Sequence, residues 1–581
     1  MQIQSLLPRA LRSTAAPTGL RLPPRLSGGR PLVGHTIEFV RSTIDLLYRA
    51  QRELGEVAAF DVLHRRMVAV FGPDAHEAVF RAPDEQLSPS EAYKIMTPVF
   101  GKDIVYDAPP DKMAEQLRML LPALKDRRMR TYGQAIVYET ELGLEDWGDD
   151  GTVDFVDFCR ALTSFTSSRC LLGPEFREGM TEEFAAVYHD LEGGVTPLSY
   201  IHPRLPLPSF IRRDRARARM VEMISDIIVG RRRDARRGED FVQTLMEARY
   251  KDGRPLSEHE ITGLLLAGIF AGHHTSSVTT AWTLIELLSN RECLGRLVDE
   301  VDSVFDSNEP VTHRKLRDLE YTEAVVKEAL RLHPPLFVLV RVAKQDFVYR
   351  DYFIERGSWV LVSPTVSHRL AEHFAEPDRF DPMRFLPPRE EDKRHNFAYI
   401  AFGGGRHKCL GNAFALLQVK AILAVLLRRY EFELAGDPIG SDFRGLVIGP
   451  REPCRVHYKR RAGAVPTLDF GRLAAEVAGH ITTHQSAAAA AAAAATEASA
   501  EADADASSGP LQVCLDRDLC QGHAVCVGEA PQVFRVGDDG KVAFADHDDN
   551  PDEASVPGRH AAAVREALRY CPTRAISLKD G

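Results

Sequence analysis

Cys409 stands in the run Phe402-Gly-Gly-Gly-Arg-His-Lys-Cys409-Leu-Gly411, just before a long helical pattern that begins near Asn412. Glycines at 403–405 and 411 let the backbone adopt positive φ and approach a flat cofactor closely. A cysteine ahead of a helix start gains backbone N–H donors and the positive end of the helix dipole, and both stabilise thiolate. The chemistry on offer is a thiolate metal ligand; for the loop alone, an inert buried cysteine is the alternative. A second constellation lies near the other end: Cys520-Gln-Gly-His523-Ala-Val-Cys526, then Cys571-Pro572. Two thiolates from a tight loop and a remote Cys-Pro suit an iron–sulfur cluster. A Cys3His zinc site built from Cys520, His523, Cys526 and Cys571 is the alternative. Cys514, in a strand pattern, is not read as a ligand. Glu328 and Arg331 sit i,i+3 on one helix face, and Arg384 follows; such a group, if buried together, must be fully paired. Inside the longest apolar helical pattern, 261–289, lies Ala271-Gly272-His273-His274-Thr275-Ser276. A histidine there titrates near neutrality and can relay protons, or can simply be a satisfied helix residue.

These residues need a scaffold that encloses a cofactor. The chain has 581 residues, 44% hydrophobic and 27% charged, an ordinary globular balance. Residues 1–461 read as one mainly α domain with a small β region, because long amphipathic patterns are punctuated by short β-rich runs such as Met67–Phe71 and Trp359–Val362. Residues 462–509, with nine consecutive alanines at 487–495, cannot bury a core and read as a linker. Residues 510–581 form a second, small α+β domain of a size that needs a staple such as a metal cluster. The net charge of −10 gives no basic field for nucleic acid. No run of 18 apolar residues occurs, so no membrane span is expected. Nine scattered cysteines and no secretory signal argue against a disulfide framework and for a reducing, cytoplasmic setting. The chain before Glu38 has no acidic residue and carries Arg9, Arg12, Arg21, Arg25 and Arg30. An organelle transit segment has that composition; a basic strap with Pro23, Pro24 and Pro31 is the reading preferred here.

In this order and spacing, Glu328-Ala-Leu-Arg331, Arg384 and the Cys409 loop resemble the cytochrome P450 family, over nearly all of residues 30–461. The resemblance implies the cytochrome P450 fold and haem b held by the Cys409 thiolate, which favours O–O cleavage. It implies that Glu328, Arg331 and Arg384 form a structural triad behind the haem. It also implies that the 261–289 helix passes over the haem, with Ala271 leaving room for O2 and Thr275 holding a water for proton delivery. His274 stands where members commonly carry an acid. The Ala271–Ser277 run, the loop Glu91-Ala-Tyr93-Lys-Ile95-Met-Thr-Pro-Val-Phe100-Gly101 closing at Val105-Tyr106-Asp107, His407 in place of the usual arginine, and Arg341 are similar to sterol 14α-demethylases. That similarity implies Tyr93, Arg341 and His407 at the haem propionates, with Phe402 also against the cofactor. It implies a substrate surface from Tyr93, Ile95, Phe100 and Ala271, and a Glu192–His274 pair as a gated proton route; His274, Thr275 and Glu192 are the candidate catalytic residues. Ile95 is smaller than the Phe of plant-type members, which leaves space for a second methyl at sterol C4 and favours a substrate such as lanosterol. The usual helical Trp near 111–118 is absent; Arg118 is taken as the basic haem partner there, with Lys112 as the fallback. The membrane anchor of eukaryotic homologues is missing too.

The carboxy-terminal segment resembles small bacterial ferredoxins, with His523 replacing the usual middle cysteine. With Cys520, Cys526 and Cys571 as ligands, the expected cluster is [3Fe–4S]; a labile [4Fe–4S] with a non-cysteine fourth ligand is the alternative. A flexible linker of about 50 residues spans about 40 Å on average, keeping the cluster near the haem domain at an effective concentration near the millimolar range. The acidic residues Asp538, Asp539, Asp546, Asp548, Asp549 and Asp552 can steer docking to a basic face. The expected reaction is oxidative 14α-demethylation of a sterol in three O2-dependent steps, each consuming two electrons. No flavin or nicotinamide fingerprint is evident, so a separate NAD(P)H-dependent ferredoxin reductase is the expected partner. Oxidation of another terpenoid or hopanoid, and a haem-and-cluster redox or gas sensor, are the competing readings.

Overall fold

The structure, a computed structural model, describes residues 16–463 and 510–579, apart from 180–181, 196–198, 200–205, 235–239, 306–310, 437–438, 444–446, 518, 521–524, 538–540, 548–550, 572 and 574. The expected linker, 462–509, lies almost wholly outside the described residues, as do His523, Pro572, Arg9 and Arg12.

The helices that position the site are α1 (Pro73–Arg81), α2 (Phe155–Leu172), α3 (Glu182–Gly193), α4 (Glu258–Ser289), α5 (Glu320–Leu332) and α6 (Asn412–Arg429). Helix α4 runs for 32 residues and is apolar nearly all round, so it is buried on most sides. Its start is fixed by a capping box. The Ser257 hydroxyl accepts from the Glu260 N–H, and the Glu260 carboxylate accepts from the Ser257 N–H at 2.9 Å. Helix α2 packs along it, capped by Asp154. Together with α6, whose middle and far end are almost wholly buried, they form the largest core.

The β region is a five-stranded sheet of β1 (Val57–Val62), β2 (Arg65–Val70), β3 (Leu87–Ser88), β4 (Leu339–Ala343) and β5 (Trp359–Val362), in the order β1-β2-β5-β4-β3. Only β2 and β5 pair in parallel. The described part of the basic amino terminus lies on this region as a strap. Arg21 bridges to Tyr352 and Arg25 to Ala59. Arg21 pairs with Asp351 at 2.6 Å, and Arg25 with Asp61.

Residues 510–579 form their own α+β unit. Leu511–Leu515 pairs with Glu553–Val556 on one side and Ile576–Leu578 on the other. A hairpin, Phe534–Val536 with Val542–Phe544, and the helix Ala561–Tyr570 close the core.

One buried histidine ties α1 to the chain entering the cysteine loop. His76 is fully buried, with Nδ1 3.0 Å from the Phe397 carbonyl oxygen and Nε2 2.9 Å from the Ser367 hydroxyl. Burial lowers its pKa from 6.5 to about 4 against the opposing pull of the Phe397 carbonyl. The unfolded chain therefore takes up this proton first. The contribution is whole above pH about 6.5 and is lost as pH falls toward 4, about 3 kcal/mol in all. Denaturant unfolding across that range should show a steeper acid loss in the native protein than in a His76→Gln variant. Equal slopes would mean His76 does not carry it.

Candidate active site

A cavity of about 1450 Å³ opens between α4, the sheet and the cysteine loop. Cys409 lines its floor; Ala271, Gly272 and Thr275 of α4 line the opposite wall. The Cys409 loop is held by the Cys409 N–H donating to the Phe402 carbonyl at 2.8 Å. Gly405, at φ +60°, lies so close to α1 that a Cβ there would sit 2.1 Å from the Phe80 carbonyl oxygen, so only glycine serves. Cys409 is exposed, but it is exposed to this cavity and not to the outside. Burial accordingly raises its thiol pKa, opposed by the Gly411 N–H and the Lys408 charge. A bound metal ion supplies the charge that keeps such a thiol ionised.

The donor set around the cavity fits haem. Arg341 is 7% exposed, and among the described residues its guanidinium is recorded donating only to the Val340 carbonyl. That leaves a buried cation suited to a propionate. His407 points Nε2 at Asp84, 2.7 Å away, while its buried Nδ1 has no partner among the described residues. Burial would raise the Asp84 carboxyl; the hydrogen bond and charge of His407, with Arg406 and Arg341 behind, hold it below its usual value. Tyr93 stacks on Tyr106 at 4.9 Å, and burial first, then Tyr93, pushes Tyr106 up to about 12. Tyr93, Arg341, His407, Phe402 and Arg118 all line the cavity. Lys112 instead pairs with Glu260 at 3.1 Å, which separates the two basic candidates on that helix in favour of Arg118.

The apolar wall is built from Ile95, Met96 and Phe100, with Phe100 edge-on to Phe270 at 5.9 Å. Opposite, the Thr275 hydroxyl donates to the Ala271 carbonyl at 2.7 Å, so its lone pairs are free to accept from a water in the cavity. His274 turns away from the cavity and meets Glu192 of α3, Nε2 to Oε2, at 2.6 Å. Burial would raise the Glu192 carboxyl, yet the imidazoles of His273 and His274 hold it at about 2.

Behind the loop, Glu328 accepts from Arg331 at 2.7 and 2.9 Å and from Arg384 at 3.0 Å. All three side chains are fully buried. Glu391 is the fourth member. It accepts from Arg384 at 2.8 Å, so two arginines meet two carboxylates. Sequence reasoning missed it, and also missed Asp84; the rule that buried charges are balanced is the signal that asks for a second carboxylate.

The cluster domain sits against the same region. Leu519 and Ala575 join the core that contains Phe80 and Phe397, with Cys520 and Cys571 beside it. Arg81 of α1 lies 3.4 Å from Asp516, and Arg317 lies 2.7 Å from Glu529. Cys520 and Lys541 reach the margin of the cavity that Cys409 lines. Cys526 is buried, and burial together with Cys571 and Cys520 pushes its thiol up to about 12, a donor set whose thiolates need bound iron to stay ionised. The Val542 N–H donates to Cys520 Sγ at 3.2 Å.

Residues 23–454 match the family described as Cytochrome P450. The chain belongs to that family. Sterol 14alpha-demethylase of Mycobacterium tuberculosis (strain ATCC 25618 / H37Rv) is 41% identical over 446 residues, covering 76% of this chain and 98% of that protein. Sterol 14-demethylase of Arabidopsis thaliana is 40% identical, covering 76% and 92%. Lanosterol 14-alpha demethylase of Bos taurus is 36% identical, covering 77% and 89%. Within the cytochromes P450 the chain therefore falls in the sterol 14α-demethylase family. A solved structure, retinoic acid bound cyanobacterial CYP120A1, superposes with a TM-score of 0.69 at 22% identity, covering 76% of this chain and 100% of that one, which shows the P450 fold. Residues 513–578 match the family described as 4Fe-4S single cluster domain. The protein is thus a cytochrome P450 joined to an iron–sulfur domain of ferredoxin type. No helix among the described residues is long and apolar enough to cross a membrane.

Proposed function

We propose that this cytochrome P450 removes the 14α-methyl of a sterol, with electrons delivered by its own cluster domain. The observation that carries the reading is 36–41% identity to sterol 14α-demethylases along the whole P450 domain, combined with an apolar cavity wall of Ile95, Met96 and Phe100. A haem with a thiolate ligand supplies O2 activation and insertion into C–H bonds. The chain's residues do the rest. Arg341 and His407 would hold the haem's propionates, with Tyr93 and Arg118 alongside. Glu328, Arg331 and Arg384 brace the loop that carries Cys409. Ile95, Phe100 and Ala271 orient the sterol, Thr275 holds a water, and Glu192 with His274 passes protons from the surface toward it. The methyl leaves after three oxygenations, through alcohol and aldehyde to formate, and consumes six electrons.

Cys520, Cys526 and Cys571 support a [3Fe–4S] cluster, with a non-cysteine ligand making [4Fe–4S] the second form. Zinc is disfavoured by the match of residues 513–578 to an iron–sulfur family. The cluster is loaded by a separate NAD(P)H-dependent reductase in a reducing cytoplasm.

The test is to titrate the full-length haem- and cluster-loaded protein with lanosterol and then add reductase and NADPH. A low- to high-spin shift followed by a product lacking the 14-methyl is expected; neither binding nor turnover with lanosterol, while a hopanoid is oxidised, would redirect the assignment. The same assay reads the pocket. Ile95→Phe fills the space for the second C4 methyl, so the preference for a 4,4-dimethyl over a 4-monomethyl sterol should fall by about tenfold or more, the worth of a single pocket contact. An unchanged ratio would remove Ile95 from substrate selection.

A further inference from the structure

We propose that Glu192, His273 and His274 form a divalent-cation site, suited to Zn²⁺, where α3 faces α4. His273 is the informative residue. Its Nε2 lies 3.0 Å from the Arg160 carbonyl oxygen of α2. A carbonyl only accepts, so Nε2 carries the hydrogen. Its Nδ1 then faces Glu192 Oε1, 3.6 Å away. Both atoms are buried without a partner within hydrogen-bond distance among the described residues, and the buried Tyr188 hydroxyl faces the same carboxylate. A buried ring nitrogen and a carboxylate oxygen held just beyond hydrogen-bond distance leave a gap that a cation bonded to both would close. The third donor is already in place, since His274 Nε2 lies 2.6 Å from Glu192 Oε2. One atom from each of the three residues falls within 4.8 Å of the others, the only such group of His, Cys, Asp or Glu among the described residues.

The donor chemistry selects the ion. Two imidazoles and one carboxylate suit zinc, at about 2.0–2.2 Å per ligand, with a water completing a tetrahedron. Magnesium and calcium prefer oxygen sets. Side-chain exposure is 5% for His273 and 14% for Glu192, against 28% for His274; an ion therefore arrives past His274. A bound cation occupies the lone pairs through which Glu192 and His274 would exchange a proton, so zinc should also slow turnover. That second effect rests on the proton-route reading above; the binding does not.

The experiment uses full-length protein loaded with haem and cluster. It is exposed to micromolar ZnCl2 and desalted, and the zinc-to-haem ratio is measured together with X-ray absorption at the zinc edge. One equivalent with a nitrogen-and-oxygen shell is expected. No retained zinc, or a shell containing sulfur, which would assign the metal to the cluster-domain cysteines, overturns the proposal. His273→Gln should weaken binding by at least about tenfold, the loss that even an outer-shell change produces. Glu192→Gln serves as the second variant if His273→Gln does not fold. The carbon monoxide spectrum of the thiolate haem checks each fold, and a folded variant that binds zinc as tightly as the native protein also overturns it. If zinc binds with the expected shell yet turnover is unaffected, the metal site stands and the proton route through Glu192 and His274 does not.

Discussion

Glu328→Gln should lower the stability of the haem domain by about 3–5 kcal/mol and abolish the thiolate-haem carbon monoxide spectrum near room temperature. In the folded protein, Arg331 and Arg384 have no exposure and rely on Glu328 and Glu391 for charge balance. Removing one carboxylate leaves two buried guanidinium cations against a single partner. Carbonyls of His368, Pro377 and Arg379 still accept from Arg331, but they carry no net charge. Against a total stability of about 5–15 kcal/mol typical of a domain, that loss is a large share, and it falls on the segment that braces the cysteine loop. The control is Glu376→Gln, which breaks the exposed Glu376–Arg379 pair and should cost no more than about 1 kcal/mol. Denaturant midpoints of the two variants decide the matter. Similar losses would mean that burial of the Glu–Arg group is not what stabilises the loop.

The second large effect concerns electron supply. Cys526→Ala removes one of the three proposed cluster thiolates from a buried position. Reductase-driven demethylation should fall by about 100-fold or more, the scale of advantage a tethered module confers. The sterol-induced spin shift should be unchanged, because the apolar wall of Ile95, Met96 and Phe100 lies in the other domain and Cys526 does not line the cavity. A free ferredoxin added to the variant should restore turnover in part, in proportion to its concentration. If Cys526→Ala keeps its rate, electrons reach the haem without the cluster.

Much of this site could be read from residue order. The Cys409 loop, the Glu328/Arg331 helix face and Arg384 lie in a fixed succession, and each has a composition that local physics explains. The strap was legible for the same reason, since a Pro-rich, basic segment without periodicity has to lie on a surface. Glu391 was not, because Arg389-Glu-Glu-Asp-Lys393 reads as a solvated charge run, and only the packing of Pro382–Phe385 beneath it turns Glu391 inward. Asp84 was hidden likewise. His273 was passed over in favour of its neighbour because its environment depends on the rotation of α4 against α2, which brings the Arg160 carbonyl to Nε2. The contact between the two domains was legible only as a tether, since nothing in local sequence announces that Leu519 and Ala575 fit against Phe80 and Phe397.

That contact has a kinetic consequence. Cys520 and Cys571 lie at the seam where the cluster domain meets the haem domain. If a separate reductase approaches through the same partly buried cysteines, loading and delivery would compete for one face. The domain would then work as a turnstile that admits one electron per swing. Six electrons for one methyl would make six swings, and release of the seam, where Arg81–Asp516 and Arg317–Glu529 pair among the described residues, would then cap the rate whatever happens at the haem.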